Sequence, residues 1–195
     1  MDYHAASAAI ASLLSIACFI PYLRDIFRGT TKPHPYTWIV WALLQAIVVG
    51  AMWRAGAGLA VAPMAIGAAL CLFIFVLSLR YGTKNITAFD AVCLGGAFVA
   101  GAAYVVFANP LASVVLATGT DALGFLPTLR KVIAEPVTET ASTHLMSGTA
   151  NGFAIGALAR FTAVTLLYLS VIMVLDFLCG FLALRGRGAG RSRSA

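Results

Sequence analysis

Charge is what this chain has least of. Of its 195 residues only 13 are Lys or Arg and 7 are Asp or Glu, a charged share of 10%. A soluble domain carries roughly a quarter. Hydrophobic residues make up 61%, and the mean hydropathy is +0.94. That balance excludes an ordinary soluble domain. The strict alternation of a lipid-embedded β-barrel is also missing. Backbone polar groups must be satisfied inside lipid, so helices remain. Cys18, Cys71, Cys93 and Cys179 stand singly in apolar runs, with no pair at metal-ligand spacing. They read as small buried hydrophobes, without a disulfide or a metal. No nucleotide or metal motif appears, and acids and histidines do not cluster near one surface, so neither an enzyme nor a cofactor is expected. The last apolar run, Phe161–Leu184, has no lysine, which excludes a retinal Schiff base. Only Asp2 and His4 precede the first apolar run, so it lacks the leading positive charge of a signal peptide and reads as a retained helix.

A bilayer-spanning helix needs about 20 mostly apolar residues. Seven segments qualify: Ala5–Phe27, Tyr36–Trp53, Gly58–Leu79, Thr87–Phe107, Ala112–Ile133, Thr140–Leu158 and Phe161–Leu184. The odd connections and the tail hold eleven basic residues, Arg24, Arg28, Lys32, Arg80, Lys84, Arg130, Lys131, Arg185, Arg187, Arg191 and Arg193. The even connections hold only Arg54 and Arg160. Positive residues stay cytoplasmic, which predicts an outside N-terminus and an inside tail in a multi-pass protein of the cell (inner) membrane. The net charge of +6 therefore calls for no nucleic acid. The lipid bilayer is the expected surrounding, and a homo-oligomer or larger membrane complex is compatible with the sequence.

The chain also repeats itself. Ala11–Arg24 (ASLLSIACFIPYLR) and Ala117–Arg130 (ATGTDALGFLPTLR) share five identities in fourteen positions at an offset of 106 residues. Each copy carries a proline inside its apolar run, Pro21 or Pro127, then meets a second proline, Pro33 or Pro136, and another apolar helix. Such duplication marks transporters built from two halves. It divides the chain into a first triple-helix unit (1–80), a linker helix (81–110), a second triple-helix unit (111–185) and a basic tail (186–195) read as disordered. The linker is rich in small residues, with Gly96 and Ala100 spaced for close packing.

This pattern resembles the PQ-loop and SWEET transporters, over nearly the whole chain. The family's Pro-Gln pair stands here as Pro21-Tyr22 and Pro127-Thr128, keeping the proline and losing the glutamine. The resemblance implies an all-α membrane protein of seven helices in a 3+1+3 arrangement. It implies alternating-access transport of a small polar solute, a sugar, amino acid or amine, either proton-coupled or passive. Pro21 and Pro127 are then the hinges. The family fold also includes cargo receptors and scaffold subunits, so a non-transporting binding role is the rival expectation.

The expected solute site rests on polar residues at mid-depth. Asp121 lies near the middle of segment five, where a carboxylate is costly unless protonated, paired or hydrated. Thr118, Asp121 and Thr128 share a helical face; the first-half equivalents are Ser12, Ser15 and Tyr22. Asp121 is thus the candidate for solute binding and for proton coupling, as is the fifth-helix acid of cystinosin-type relatives. In segment six, His144, Ser147 or Gly148, and Asn151 form one stripe, opposite Trp38, Trp41 and Gln45 in segment two. The site expected from the sequence is therefore Asp121, Asn151, Gln45, Trp41, Ser15, Thr118 and His144. His144 reads as a gate or structural group rather than a metal ligand. Trp38 fits an interfacial anchor equally well, Gln45 and Asn151 fit helix-to-helix bonding equally well, and Asp176 is either structural or functional.

Overall fold

The computed structural model describes residues 3–54, 62–106, 110–158, 161 and 163–192. Its regular structure among these residues is entirely helical. The elements are α1 (Tyr3–Ala17), α2 (Phe19–Phe27), α3 (Pro35–Arg54), α4 (Ala62–Tyr81), α5 (Ala88–Val106), α6 (Pro110–Ala134), α7 (Ala141–Gly156) and α8 (Ala163–Ser192), with a 3-10 turn at Pro136–Thr138 before α7. Two stretches are long and apolar enough to cross a membrane, Ala6–Phe27 and Leu166–Gly186. Ala65–Tyr81 and Ala88–Ala103 are shorter apolar helices.

Local chemistry sets the helix ends. Pro21 has no amide hydrogen to give the Ala17 carbonyl, and the first apolar run divides at Cys18 into α1 and α2. Cys18 keeps right-handed helical angles, so the division is small. Pro127 lies inside α6, which continues unbroken. The two prolines expected to act alike therefore differ locally. Pro63 falls in the first turn of α4, a position that costs proline nothing. Gly29, at φ +71°, ends α2, with its amide bonded back to Ile26. Thr87 and Asp90 form a capping box on α5: the Asp90 carboxylate accepts from the Thr87 amide at 2.8 Å, and the Asp90 amide points at the Thr87 hydroxyl at 3.4 Å. Helix α8 continues to Ser192, through residues that the sequence reading gave to a disordered tail.

Contacts divide the chain into two compact units, Met1–Lys32 with Leu129–Ala195, and Pro33–Thr128. These boundaries cross those of the sequence repeat. In the first unit α7 packs against both α1 and α8. Glycines permit the close approach: a β-carbon at Gly148 would lie 3.0 Å from the Phe177 ring, and one at Gly180 2.8 Å from Leu145. In the second unit α3 packs against α4 and α5. Gly124 of α6 lies against Val40 of α3, and Gly96 of α5 against Leu123 of α6.

Candidate functional site

The second unit holds an aromatic corner beside a polar stripe. On α6, Thr118, Asp121, Phe125 and Thr128 recur every three or four residues and all are buried. Asp121 is 5% exposed and interacts with a neighbouring group. The Thr128 hydroxyl donates to that of Thr37 on α3 at 2.9 Å. Phe125 packs on Trp41, with ring centroids 5.3 Å apart, and Trp41 meets Trp38 edge-to-face at 5.0 Å. Trp38 is 3% exposed, which places it inside the protein rather than at an interface. The indole N–H of Trp41 is buried and has no acceptor among the described residues. Gln45, one turn beyond Trp41, donates to Cys71 of α4 at 3.1 Å and so ties two helices together.

The same unit contains a groove of about 230 Å³ lined by Val40, Leu43 and Leu44 of α3, Ala97 and Phe98 of α5, and Thr120 of α6. Thr120 donates its hydroxyl to the Leu116 carbonyl, so it brings no free donor to the groove. The groove is apolar and does not include Asp121, Trp41 or Gln45.

The first unit is organised by a chain of buried polar groups. Lys131, at the end of α6, has no exposed surface. Its ammonium donates to the carbonyls of Lys32 (2.6 Å) and Thr138 (3.1 Å) and to the Glu139 carboxylate. Burial alone would raise the Glu139 pKa, but Lys131 and His144 outweigh it and hold the carboxyl down at about 2. Glu139 Oε1 also accepts from the Thr140 amide at 3.3 Å. The Thr140 hydroxyl donates to Asp25 of α2 at 3.1 Å and meets the Thr31 hydroxyl, which must then be the donor. Arg24 closes this end through a 2.8 Å bond to Asp25.

His144 continues the chain into α8. Its Nε2 lies 3.5 Å from Glu139 Oε1, within ion-pair range, and its Nδ1 lies 3.0 Å from Asp176 Oδ1. Ser147, one turn along α7, donates to the other Asp176 oxygen at 2.6 Å. The Tyr22 ring stands edge-on to the imidazole at 6.5 Å. Asn151 donates to the Ser147 carbonyl within its own helix.

Ser15 is exposed, as is Ser12, whose hydroxyl donates to the Ala8 carbonyl. Tyr22, expected to share their face, is buried. Sequence reasoning gave Asp25 and Glu139 no role and read Lys131 only as one of the basic residues on the inner side. It also missed His34, whose Nε2 lies 3.4 Å from Asp90 with both side chains fully buried. The signal available for His34 was its position between Pro33 and Pro35, which fixes the backbone at the start of α3. No family model matches the chain, and no curated protein or solved structure matches it. The PQ-loop resemblance therefore rests on the residues quoted for it.

Proposed function

We propose that the chain is a multi-pass membrane transporter of a small polar solute, working by alternating access. The reading places seven helices across the cell membrane in a 3+1+3 order, with the N-terminus outside and the basic tail inside. The observation that carries it is the Trp41 indole N–H, buried without an acceptor among the described residues. Buried donors are almost always satisfied, and an orphan calls for a reason. A solute hydroxyl or carboxylate supplies the missing acceptor. The aromatic character of Trp41 suits a sugar ring or an aliphatic amine, and Asp121 lies one turn from Phe125, which packs on Trp41.

Trp41→Phe tests this directly, because it keeps the aromatic face and removes the N–H. Removing an unsatisfied buried donor leaves the fold equally stable or more stable. Losing one solute hydrogen bond lowers uptake about tenfold. Proteoliposomes screened with sugars, amino acids and amines read the second quantity, and thermal melting reads the first. Unchanged uptake with unchanged stability refutes the assignment.

A second reading, a receptor or scaffold subunit of the same fold, draws on a different observation. Gln45, Asn151 and His144 all bond to groups of their own units. A non-transporting subunit needs no free polar groups inside. It is favoured if no solute in the panel is moved and the protein purifies with a stoichiometric membrane partner.

A further inference from the structure

We propose that His144 is a proton-binding hub, an imidazolium held between the Glu139 and Asp176 carboxylates, and that release of its proton loosens α7 from α8. The binding of a proton here follows from geometry alone; its link to solute movement rests on the transport reading above.

Acceptor counting supports a charged ring. Both Asp176 oxygens are engaged, one by the Ser147 hydroxyl and one by His144 Nδ1. Both Glu139 oxygens are likewise engaged, by Lys131 on one side and by the Thr140 amide on the other, with His144 Nε2 beyond. An ionised carboxylate only accepts, and it is these acceptor roles that both groups fill. Each imidazole nitrogen therefore faces a carboxylate oxygen. A neutral ring donates from one nitrogen and presents a lone pair from the other, which here would meet a negative oxygen. A doubly protonated ring serves both carboxylates, whereas a neutral ring bonds one of them and leaves its other nitrogen to the Cys179 thiol.

The charges of the cluster agree. Lys131 and His144 against Glu139 and Asp176 balance with the imidazole protonated, and its deprotonation leaves a buried excess of one negative charge. Arg24 balances Asp25 separately. The other titratable groups around the ring add no positive charge: Cys179 from α8 faces it, Cys18 lies at the α1–α2 junction, and Tyr22 presents its ring edge from α2. Loss of the proton must therefore break the contact to Glu139 or to Asp176. Breaking the second frees the polar tie between α7 and α8, which otherwise meet through Gly148 and Gly180.

The chain has only three histidines, His4, His34 and His144, so nitrogen NMR of the histidine-labelled full-length protein in lipid nanodiscs resolves them. His144→Gln assigns the resonance. In the wild type both His144 nitrogens are protonated at neutral pH. Asp176→Asn and, separately, Glu139→Gln each lower its titration midpoint by about one unit or more, the usual effect of a close opposite charge. A singly protonated ring in the wild type overturns the proposal, as does a midpoint that neither variant moves. The wild-type spectrum decides even if one variant fails to fold. In proteoliposomes His144→Gln abolishes accumulation driven by a pH gradient and keeps solute exchange. A wild type that moves no panel solute sinks the transport reading and leaves the NMR result to judge the hub.

Discussion

A lysine with no exposed surface needs an acceptor for each of its ammonium hydrogens, and Lys131 has them in Lys32, Thr138 and Glu139. Removing one member of such a buried pair strands the other. Lys131→Met should destabilise the protein by about 3–5 kcal/mol, while Lys131→Met with Glu139→Leu should recover much of the loss. Thermal melting in detergent measures both. The pH dependence follows from the Glu139 carboxyl, held at about 2 against an ordinary 4.5. A depressed folded pKa gives stability that is complete above the unfolded value and is lost as pH falls toward the folded one. The gap in melting temperature between wild type and Glu139→Gln should therefore be constant above pH 4.5 and shrink between pH 4.5 and about 2. A constant gap down to pH 2 would show that the fold does not hold the Glu139 carboxyl below its ordinary range. These residues were hard to read in the sequence for a physical reason. Lys131 counts as a cytoplasmic flank by hydropathy, and no one-dimensional pattern reveals that two carbonyls and an acid fold over it.

Helices were the legible part. Apolar runs of the right length located α3 and α5 to within a residue or two, and small residues foretold the close α5–α6 approach at Gly96. The buried stripe Thr118, Asp121 and Thr128 was likewise readable from spacing. Ser15 was not: it is exposed, where Asp121, its counterpart in the repeat, is buried. The paired prolines still carry the hinge proposal. Pro21→Ala restores a bond to the Ala17 carbonyl and should raise stability, by up to about 3 kcal/mol. Pro127→Ala should act in the same direction, and the double variant should transport poorly; undiminished transport in it would remove the hinge. Glycines in α6 offer a sharper contrast. A β-carbon at Gly124 would lie 2.6 Å from Val40 Cγ1, whereas one at Gly119 meets nothing within 4 Å. Gly124→Ala should cost about 1–3 kcal/mol, and Gly119→Ala should gain about 0.5–1 kcal/mol. Equal effects at the two sites would mean that α3 and α6 do not approach as described.

At the scale of the whole molecule, two partitions of the chain stand side by side. The repeat pairs residues 11–24 with 117–130, while the contacts join Met1–Lys32 to Leu129–Ala195. The proposed seven crossings, with the eleven-to-two charge split, predict that a periplasmically active reporter works after Arg54 or Arg160 and fails after Lys84. Activity after Lys84 would overturn the topology. On the transport proposal, the work divides into two duties that separate variants can isolate. Asp121, in the buried α6 stripe one turn from Phe125, is assigned the solute. His144, clamped by Glu139 and Asp176 in the other unit, is assigned the proton. Asp121→Asn keeps the shape and removes the charge; if the carboxylate holds a cationic solute, exchange and gradient-driven uptake should both fail. His144→Gln should lose gradient-driven accumulation alone. The reverse outcome, with Asp121→Asn keeping exchange and losing only accumulation, would move the proton to Asp121 and leave the His144 cluster as a structural tie. Wild-type rates of both processes in Asp121→Asn would remove that residue from the mechanism altogether, because an amide replaces a protonated structural carboxyl at little cost.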